Sequence, residues 1–426
     1  MNTSKKHIQK VFDNRNFRLL WAGQGASLLG DQFELIAAPW LVLKLTHDPL
    51  VLGFVLALSS VPRALFMLVG GAITDRFSAR NVMLITDMLR LVLTSAMALL
   101  IFTGGIQTWI IYVFALLFGL LSGFFNPASS SIVPHIVGKE HLRSGNALIQ
   151  GTGQLANFAG PILAGGLIVL FSNPSSVGIE GIAMAFSLDA LSFLASILTL
   201  WQIYLPETFK TGHKDDLLSS IKDGVQFALQ DSSLKVILIL IAAANLFFVG
   251  PLYVGIPVLA QQRLAGGAAA FGIIMSAYGG GNLLGILSAG SLPKPDAGLL
   301  NGLIVGLFAI FGLALAAFAF VSSTWVAFGM LLVLGIGNGY FAITLITLLQ
   351  QHTPSDRIGR IMSLVLFANV GLVPISQAFS GLMIKFNLPG LFIGAGTLMV
   401  LLAGWAALNH EARCLGDNLL NASPAD

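Results

Sequence analysis

Charge is what this sequence has least of. Of its 426 residues only 10% are Asp, Glu, Lys or Arg, where a soluble domain carries roughly a quarter. Too few charges exist to clothe a water-facing surface, so the solvent of this chain must be largely lipid. Cysteine is nearly absent: the single Cys414 excludes an intramolecular disulfide and any cysteine-rich metal site. No G-x-x-x-x-G-K-[ST] loop occurs, so ATP is not the expected energy source, and no cofactor is expected. H-E-x-x-H and G-x-S-x-G are missing too, and the seven histidines lie in or beside loops, which leaves no metal or nucleophile–base constellation for an enzyme. A net charge of +3 gives no argument for nucleic acid.

What is there is hydrophobic: 56% of the residues, with a mean hydropathy of +0.85. A membrane-crossing helix needs about 20 mostly apolar residues. Breaking the chain at Gly, Pro and charge clusters gives twelve such spans, near 17–43, 51–72, 82–102, 108–130, 146–170 and 179–203, then 234–260, 271–291, 298–321, 325–349, 361–384 and 390–409. The expectation is an all-α membrane protein of two six-helix bundles, 1–205 and 233–426, joined by a polar cytoplasmic linker at 206–232. With the N-terminus inside, 17 of the 22 Lys and Arg residues fall on the inside, against Lys44, Arg263 and Lys385 outside. That bias predicts a multi-pass protein of the cytoplasmic (inner) membrane with both termini in the cytoplasm. No cleavable signal is expected, because the apolar run after the basic start is longer than a signal sequence carries. The halves echo each other: "GNALIQGTGQLANFAGPI" at 145–162 and "GRIMSLVLFANVGLVPI" at 359–375 both set an Ala-Asn pair shortly before Pro-Ile. Repeated bundles of this kind are what transporters use to alternate access.

"GGAITDRFSARN" resembles the loop between spans two and three of the major facilitator superfamily, with Gly71, Asp75, Arg76 and Arg80 in order and Ala79 where that motif has Gly. On span five, "GPILAGG" is similar to the exporter motif of that superfamily: Gly160, Pro161, Gly165 and Gly166, with one residue more before the double glycine. "NRNFRLLWAGQGASLLGDQF", "LSSVPRALFMLVGGAITDR", "FFNPASSSIVPHIV", "SLDALSFLASI" and "DRIGRIMSL" together resemble the proton-driven macrolide-efflux and enterobactin-exporter branch. The resemblance covers nearly the whole chain. It implies the major facilitator fold and an exporter, and leaves the cargo open.

Charges inside spans each need a reason, since one at the bilayer centre costs about 2.5–3.5 kcal/mol on insertion scales. Asp31 and Glu34 stand three apart on one helical face that must look into the protein. Arg63 lies about level with Asp31 on the antiparallel second span, as a structural ion-pair partner or as one that an acid leaves on protonation. One arginine neutralises one carboxylate, so the surplus acid is expected to exchange a proton at physiological pH. Glu34, nearer the outer end, would be the entry point and Asp31 the relay. Asp189 on span six is a third buried acid, either a second proton or substrate site or a packing residue satisfied by Ser187, Ser192 and Ser196. Asp87 and Arg90 are expected near the cytoplasmic end of span three, in one charge cluster with Asp75 and Arg80 that holds the inward-closed state.

The second half differs. Between Val236 and Gln350 the charged residues are Arg263, Lys294 and Asp296, all in loops. Its cavity candidates are aromatic or weakly polar: Asn245, Phe248, Tyr253, Tyr278, Asn282, Asn338, Asn369 and Gln377, each of which alone could equally be a packing residue. The glycines of "YGGGNLLG" and "GIGNGY" suit close helix packing and hinges. The residues predict a proton-coupled secondary transporter of an amphipathic small molecule, monomeric in the bilayer, and the resemblance implies that it exports its cargo, a drug or a siderophore. Uptake by symport, a lipid enzyme and a transport-dead sensor are its rivals.

Overall fold

The computed structural model describes residues 9–172, 179–204, 232–292, 296–352, 358–413 and 415. Among the described residues the secondary structure is helical. The long helices are α1 (Arg15–Thr46), α2 (Pro49–Arg76), α3 (Ala79–Phe102), α4 (Thr108–Ile136), α5 (Leu142–Phe171) and α6 (Glu180–Trp201). Then follow α7 (Ser233–Arg263), α8 (Ala268–Ser291), α9 (Ala297–Phe318) and α10 (Thr324–His352). Last come α11 (Ile358–Gly371), α12 (Val373–Phe386) and α13 (Leu388–Leu408). Eleven of the described helices are long and apolar enough to cross a membrane unbroken. The eleventh span of the sequence is the pair α11 and α12. It breaks at Leu372, just before Pro374, whose ring removes a donor and crowds the carbonyl one turn back.

Local chemistry sets the ends. Asn14 caps α1 by accepting from the N–H groups of Asn16 and Phe17, and His47 closes it in the left-handed region at φ 51°. Asp296 caps α9 by accepting from the N–H of Leu299 at 2.7 Å. Along the helices, large apolar side chains such as Leu170 and Phe320 stay about four-fifths exposed, 78% and 80%, a surface only lipid can cover.

The chain divides into two compact units. The described residues of Met1–His47 and Leu58–His213, with Gly266–Ser276, form the first; those of Asp48–Ala57, Lys214–Ala265 and Ala277–Asp426 form the second. The start of α2 thus belongs with the second unit and the start of α8 with the first. Glycine backbones explain both. A Cβ on Gly53 would press on Gly381 and the carbonyl of Gln377, and one on Gly165 would press on Gly272 and the carbonyl of Ala268. Linker residues 206–231 lie outside the described residues.

In the first unit α1 packs on α6 and α5, and α3 packs on α6 and α4. Small residues let α1 and α6 close up: a Cβ on Gly23 would overlap Thr199, and one on Gly30 would overlap Ser192. In the second unit α9 lies along α13, Gly281 of α8 meets the backbone of Gly335 of α10, Gly285 that of Ile336 and Tyr340, and Gly339 that of Asn282. Those two glycine runs pack helices, as the sequence suggested.

Candidate functional site

α1 carries Asp31 and Glu34, both half-buried, one turn apart. The glycine before Asp31 matters here. Because Gly30 has no side chain, α6 comes close enough for Asp189 to lie against it; a Cβ there would sit 2.7 Å from Asp189 Oδ1. Asp189 is fully buried, and neither of its carboxylate oxygens has a hydrogen-bond partner. The serines near it bond elsewhere. Ser187 donates to the carbonyl of Ala183, Ser192 to the main-chain carbonyl of Asp189 and Ser196 to Asp87 Oδ2 at 2.7 Å. Asp189 feels the charges of Asp31, Glu34 and Arg90. The three acids therefore form one electrostatic group inside the first unit.

Arg63 belongs to the same group. Its Nε is buried without a hydrogen-bond partner, and it acts on both Asp31 and Glu34 without an ion pair inside 4.0 Å among the described residues. α4 places it: a Cβ on Gly123 would stand 3.0 Å from the Arg63 carbonyl, so α2 and α4 touch backbone to backbone at that level.

Asp87 and Arg90 are the residues the sequence misplaced. They stand about 12 and 17 Å into α3 from Ala79, at 1.5 Å per residue, and are 0% and 2% exposed. They pair with each other at 3.8 Å, and Arg90 also acts on Asp31, Glu34 and Asp189. Arg80, with which the sequence groups them, reaches the end of α6 instead. Its Nε and Nη2 donate to the carbonyls of Leu200 and Trp201 at 2.8 and 2.9 Å, capping the end of α6. Gly71, Asp75 and Arg76 are helical in α2, and their side chains lie outside the described residues.

The charge count of the site changes accordingly. The sequence set two acids of α1 against Arg63 alone. The structure sets Asp31, Glu34, Asp87 and Asp189 against Arg63 and Arg90. Arg90 is the stronger positive charge acting on Asp31, and Arg63 the stronger on Glu34. Two carboxylates still exceed the cations, and Asp189 is the most deeply buried of the four together with Asp87.

The exporter-like motif sits on α5. A Cβ on Gly160 would overlap Gln32 of α1, while Pro161 and Gly165 lie against Gly272 of α8. Pro161 has no N–H, and the next one along, that of Ile162, donates to Ser276 Oγ of α8 at 2.9 Å. Gly166 has open space beside it. Gly272 and Ser276 complete this contact, and nothing in the one-dimensional pattern singles them out.

The second unit holds a cavity of about 140 Å³. It is lined by Asn245, Phe248, Tyr278, Asn338 and Asn369 of the predicted set, and also by Phe311 and Phe341. Asn245 donates to Asn369 Oδ1 at 3.2 Å, and Phe248 stacks on Phe311 at 5.0 Å. Tyr253, Asn282 and Gln377 do not line it. The wall at Asn245 and Phe248 is a π-helical stretch of α7, residues Asn245–Val249, followed by a second at Pro251–Gly255. Pro251 cannot donate to the carbonyl five residues back, that of Leu246. Ser376 of α12 fills the gap: it donates to Leu246 O at 2.6 Å and accepts from the N–H of Gly250 at 2.8 Å. Among the described residues no group of three or more His, Cys, Asp and Glu could hold a metal ion.

A multi-span helical protein with buried carboxylates and an uncharged cavity is a membrane transporter in its architecture. Residues 10–419 match the family described as transmembrane secretion effector, and the chain belongs to that family of major facilitator transporters. An uncharacterised MFS-type transporter of Sinorhizobium fredii, y4rN, is 25% identical, covering 91% of this chain and 93% of its own. Macrolide efflux protein A of Streptococcus pyogenes is 20% identical over 94% of this chain and 97% of its own. The staphyloferrin A transporter of Staphylococcus aureus is 23% identical over 82% and 84%. Among solved structures, a POT family transporter shares the fold with a TM-score of 0.72 at 13% identity, covering 93% of this chain and 96% of its own. Family and fold are those of transporters.

Proposed function

We propose that the chain is a proton-coupled exporter of an amphipathic small molecule across the cytoplasmic membrane, with both termini in the cytoplasm. The observation that carries this reading is the cluster of four carboxylates around two guanidinium groups in the first unit. Uncompensated charge is too costly to bury, so the surplus carboxylates bind and release protons. Facing the cytoplasm, the site loses its protons as cargo enters. Facing out, protonation at Glu34, Asp31 and Asp189 discharges cargo and neutralises the site for its return. A proton crossing the whole field at about 100 mV supplies about 2.3 kcal/mol before any pH gradient.

Export, rather than uptake, is supported by the motif at Gly160–Gly166 and by the efflux proteins among the relatives. Those relatives handle unlike cargo, a macrolide in one case and staphyloferrin A in another. Drug efflux and secretion of a siderophore are the two forms the reading takes. The cavity at Asn245, Phe248 and Tyr278 suits the ring or acyl part of either. At about 140 Å³ it is smaller than the roughly 300–1,000 Å³ of whole-ligand pockets, so it would hold a moiety rather than the molecule.

Inside-out membrane vesicles holding the protein test the proposal with two labelled probes, a macrolide and staphyloferrin A. Accumulation of one in the lumen, driven by an acid interior and lost when a protonophore is added, is the expected result. Movement out of the lumen, or accumulation indifferent to the gradient, would overturn it.

A further inference from the structure

Two carboxamides on the wall of the second unit's cavity are locked in one orientation. Asn245 donates through Nδ2 to the main-chain carbonyl of Ile241 at 2.9 Å and to Asn369 Oδ1 at 3.2 Å. Asn369 in turn donates through Nδ2 to the carbonyl of Val365 at 2.9 Å. A main-chain carbonyl only accepts, so the end of each carboxamide that meets one must be the nitrogen. Both N–H bonds of Asn245 are then spent, and among the described residues nothing donates to its Oδ1, an accessible atom. Rings stand beside this free acceptor. Phe248 stacks on Phe311 at 5.0 Å and lies tilted to Tyr278 at 6.0 Å, and Phe341 adds a fourth ring to the lining. No Asp, Glu, Lys, Arg or His lines the cavity. An apolar cavity of about 150 Å³ holds one benzene, so this one, at about 140 Å³, has room for a single aromatic ring.

We infer that this cavity receives an uncharged aryl ring bearing an O–H or N–H donor, a phenol in its simplest form, and that Asn245 selects it by accepting through Oδ1. Each alternative occupant loses something there. A carboxylate or an ammonium would give up its hydration and find no counter-charge on the wall. A saturated acyl chain would fill the space but leave Asn245 Oδ1 without a donor once water is displaced. A sugar would bring more hydroxyls than a wall of rings can satisfy. An aryl donor loses nothing. Its ring gains offset or edge-to-face contact with the four aromatic side chains. Its donor meets Asn245 Oδ1, and a phenolic oxygen can accept the second N–H of Asn369, which the bond to Val365 leaves unspent.

Because the assignment rests on the cavity's proposed role as a cargo site, its test reads binding alone and needs no transport. The full chain is placed in lipid nanodiscs and titrated with 4-fluorophenol and with 4-fluorotoluene, which has the same shape and no donor. Saturable binding beyond that of empty nanodiscs is followed by fluorine NMR. The phenol should bind about fivefold tighter than the toluene, the share of one net hydrogen bond. In Asn245→Leu the phenol should fall to the level of the toluene, with the toluene little changed. Photolysis of 4-azidophenol in the wild type carries the test should that variant fail to fold; it should label the peptide that holds Asn245 and Phe248. Equal binding of the two probes, a preference that survives in Asn245→Leu, or labelling away from the cavity would each overturn the inference and leave the exporter reading standing. Binding as expected, with no gradient-driven movement of the macrolide or staphyloferrin A in the vesicle assay, would sink the exporter reading alone.

Discussion

Ser376→Ala isolates what one hydroxyl contributes to the second unit. Ser376 is 1% exposed, and its Oγ serves two backbone groups at once, Gly250 N–H at 2.8 Å and Leu246 O at 2.6 Å. Alanine removes both partners together. Each backbone group left unsatisfied in a buried site costs about 1–3 kcal/mol, so the loss should be about 2–6 kcal/mol. Water cannot replace the hydroxyl, because a Cβ on Gly250 would already overlap Ser376 Oγ and its carbonyl. The carbonyl of Leu246 has no relief from its own helix either, since Pro251 lacks the N–H that would reach it. The purified protein is unfolded in mixed detergent with rising dodecyl sulfate, and the wild type is compared with Ser376→Ala and Ser376→Cys. Cysteine, a weak donor and acceptor, should fall between the two. Because the same π-helical stretch presents Asn245 and Phe248 to the cavity, cargo affinity should drop alongside stability. A Ser376→Ala protein within about 0.5 kcal/mol of wild type, the range of an ordinary surface change, would refute the idea that Ser376 repairs the gap at Pro251.

Asp31→Asn and Glu34→Gln should each abolish gradient-driven export in vesicles while the proteins remain folded by size-exclusion profile; normal export in both removes these acids from the mechanism. Asp189→Asn keeps the shape of the side chain and loses its ionisation, so it should fold normally and uncouple export from the pH gradient, read as proton efflux on addition of cargo. Phe248→Ala removes the ring stacked on Phe311 at 5.0 Å and should raise the half-saturating cargo concentration about tenfold, equivalent to about 1.4 kcal/mol. Arg80→Ala frees the carbonyls of Leu200 and Trp201 and should lower stability by about 0.5–1.5 kcal/mol, since water reaches that helix end, with the pH dependence of transport unchanged.

Composition alone reveals the spans, because about 20 apolar residues are needed wherever a bilayer is crossed. Their interruptions are less legible. Pro161 and Pro374 look alike in sequence, each followed by Ile in mid-span, yet α5 runs on through Pro161 while the chain breaks at Leu372. The difference depends on neighbours: Ser276 takes up the next N–H in one case, and α7 grips the new helix through Ser376 in the other. Gly53 and Gly272, which tie short stretches of α2 and α8 into the opposite units, depend on contacts far along the chain and leave no local trace. Asp31, Glu34, Asp189 and Arg63 stand out in the sequence because charges in spans are conspicuous. Arg90 is equally conspicuous, but in the sequence it lies near the loop at Asp75, whereas eleven residues from the helix start it stands deep in α3. The rings of Phe118, Phe125 and Phe193 around its guanidinium come from other helices. Phe118 and Phe125 share a helix face at a spacing of seven, yet thirty phenylalanines offer many such pairs.

The two units divide the chemistry unequally. All the buried acids and both arginines of the cluster lie in the first unit, whose helices must keep Gly23, Gly30, Gly119 and Gly123 small for those groups to meet. The second unit lines its cavity with rings and carboxamides, which offer area and hydrogen bonds without a formal charge. Replacing one of those rings alters which solute fits and leaves the charge count of the first unit as it was. Replacing Asp31 or Arg90 alters that count for every solute alike. If the proposed reading holds, substitutions at Asn245, Phe248, Phe311 and Phe341 change which solute fits and leave the first unit's charges as they are, so substitutions that broaden the cargo range should fall in the second unit.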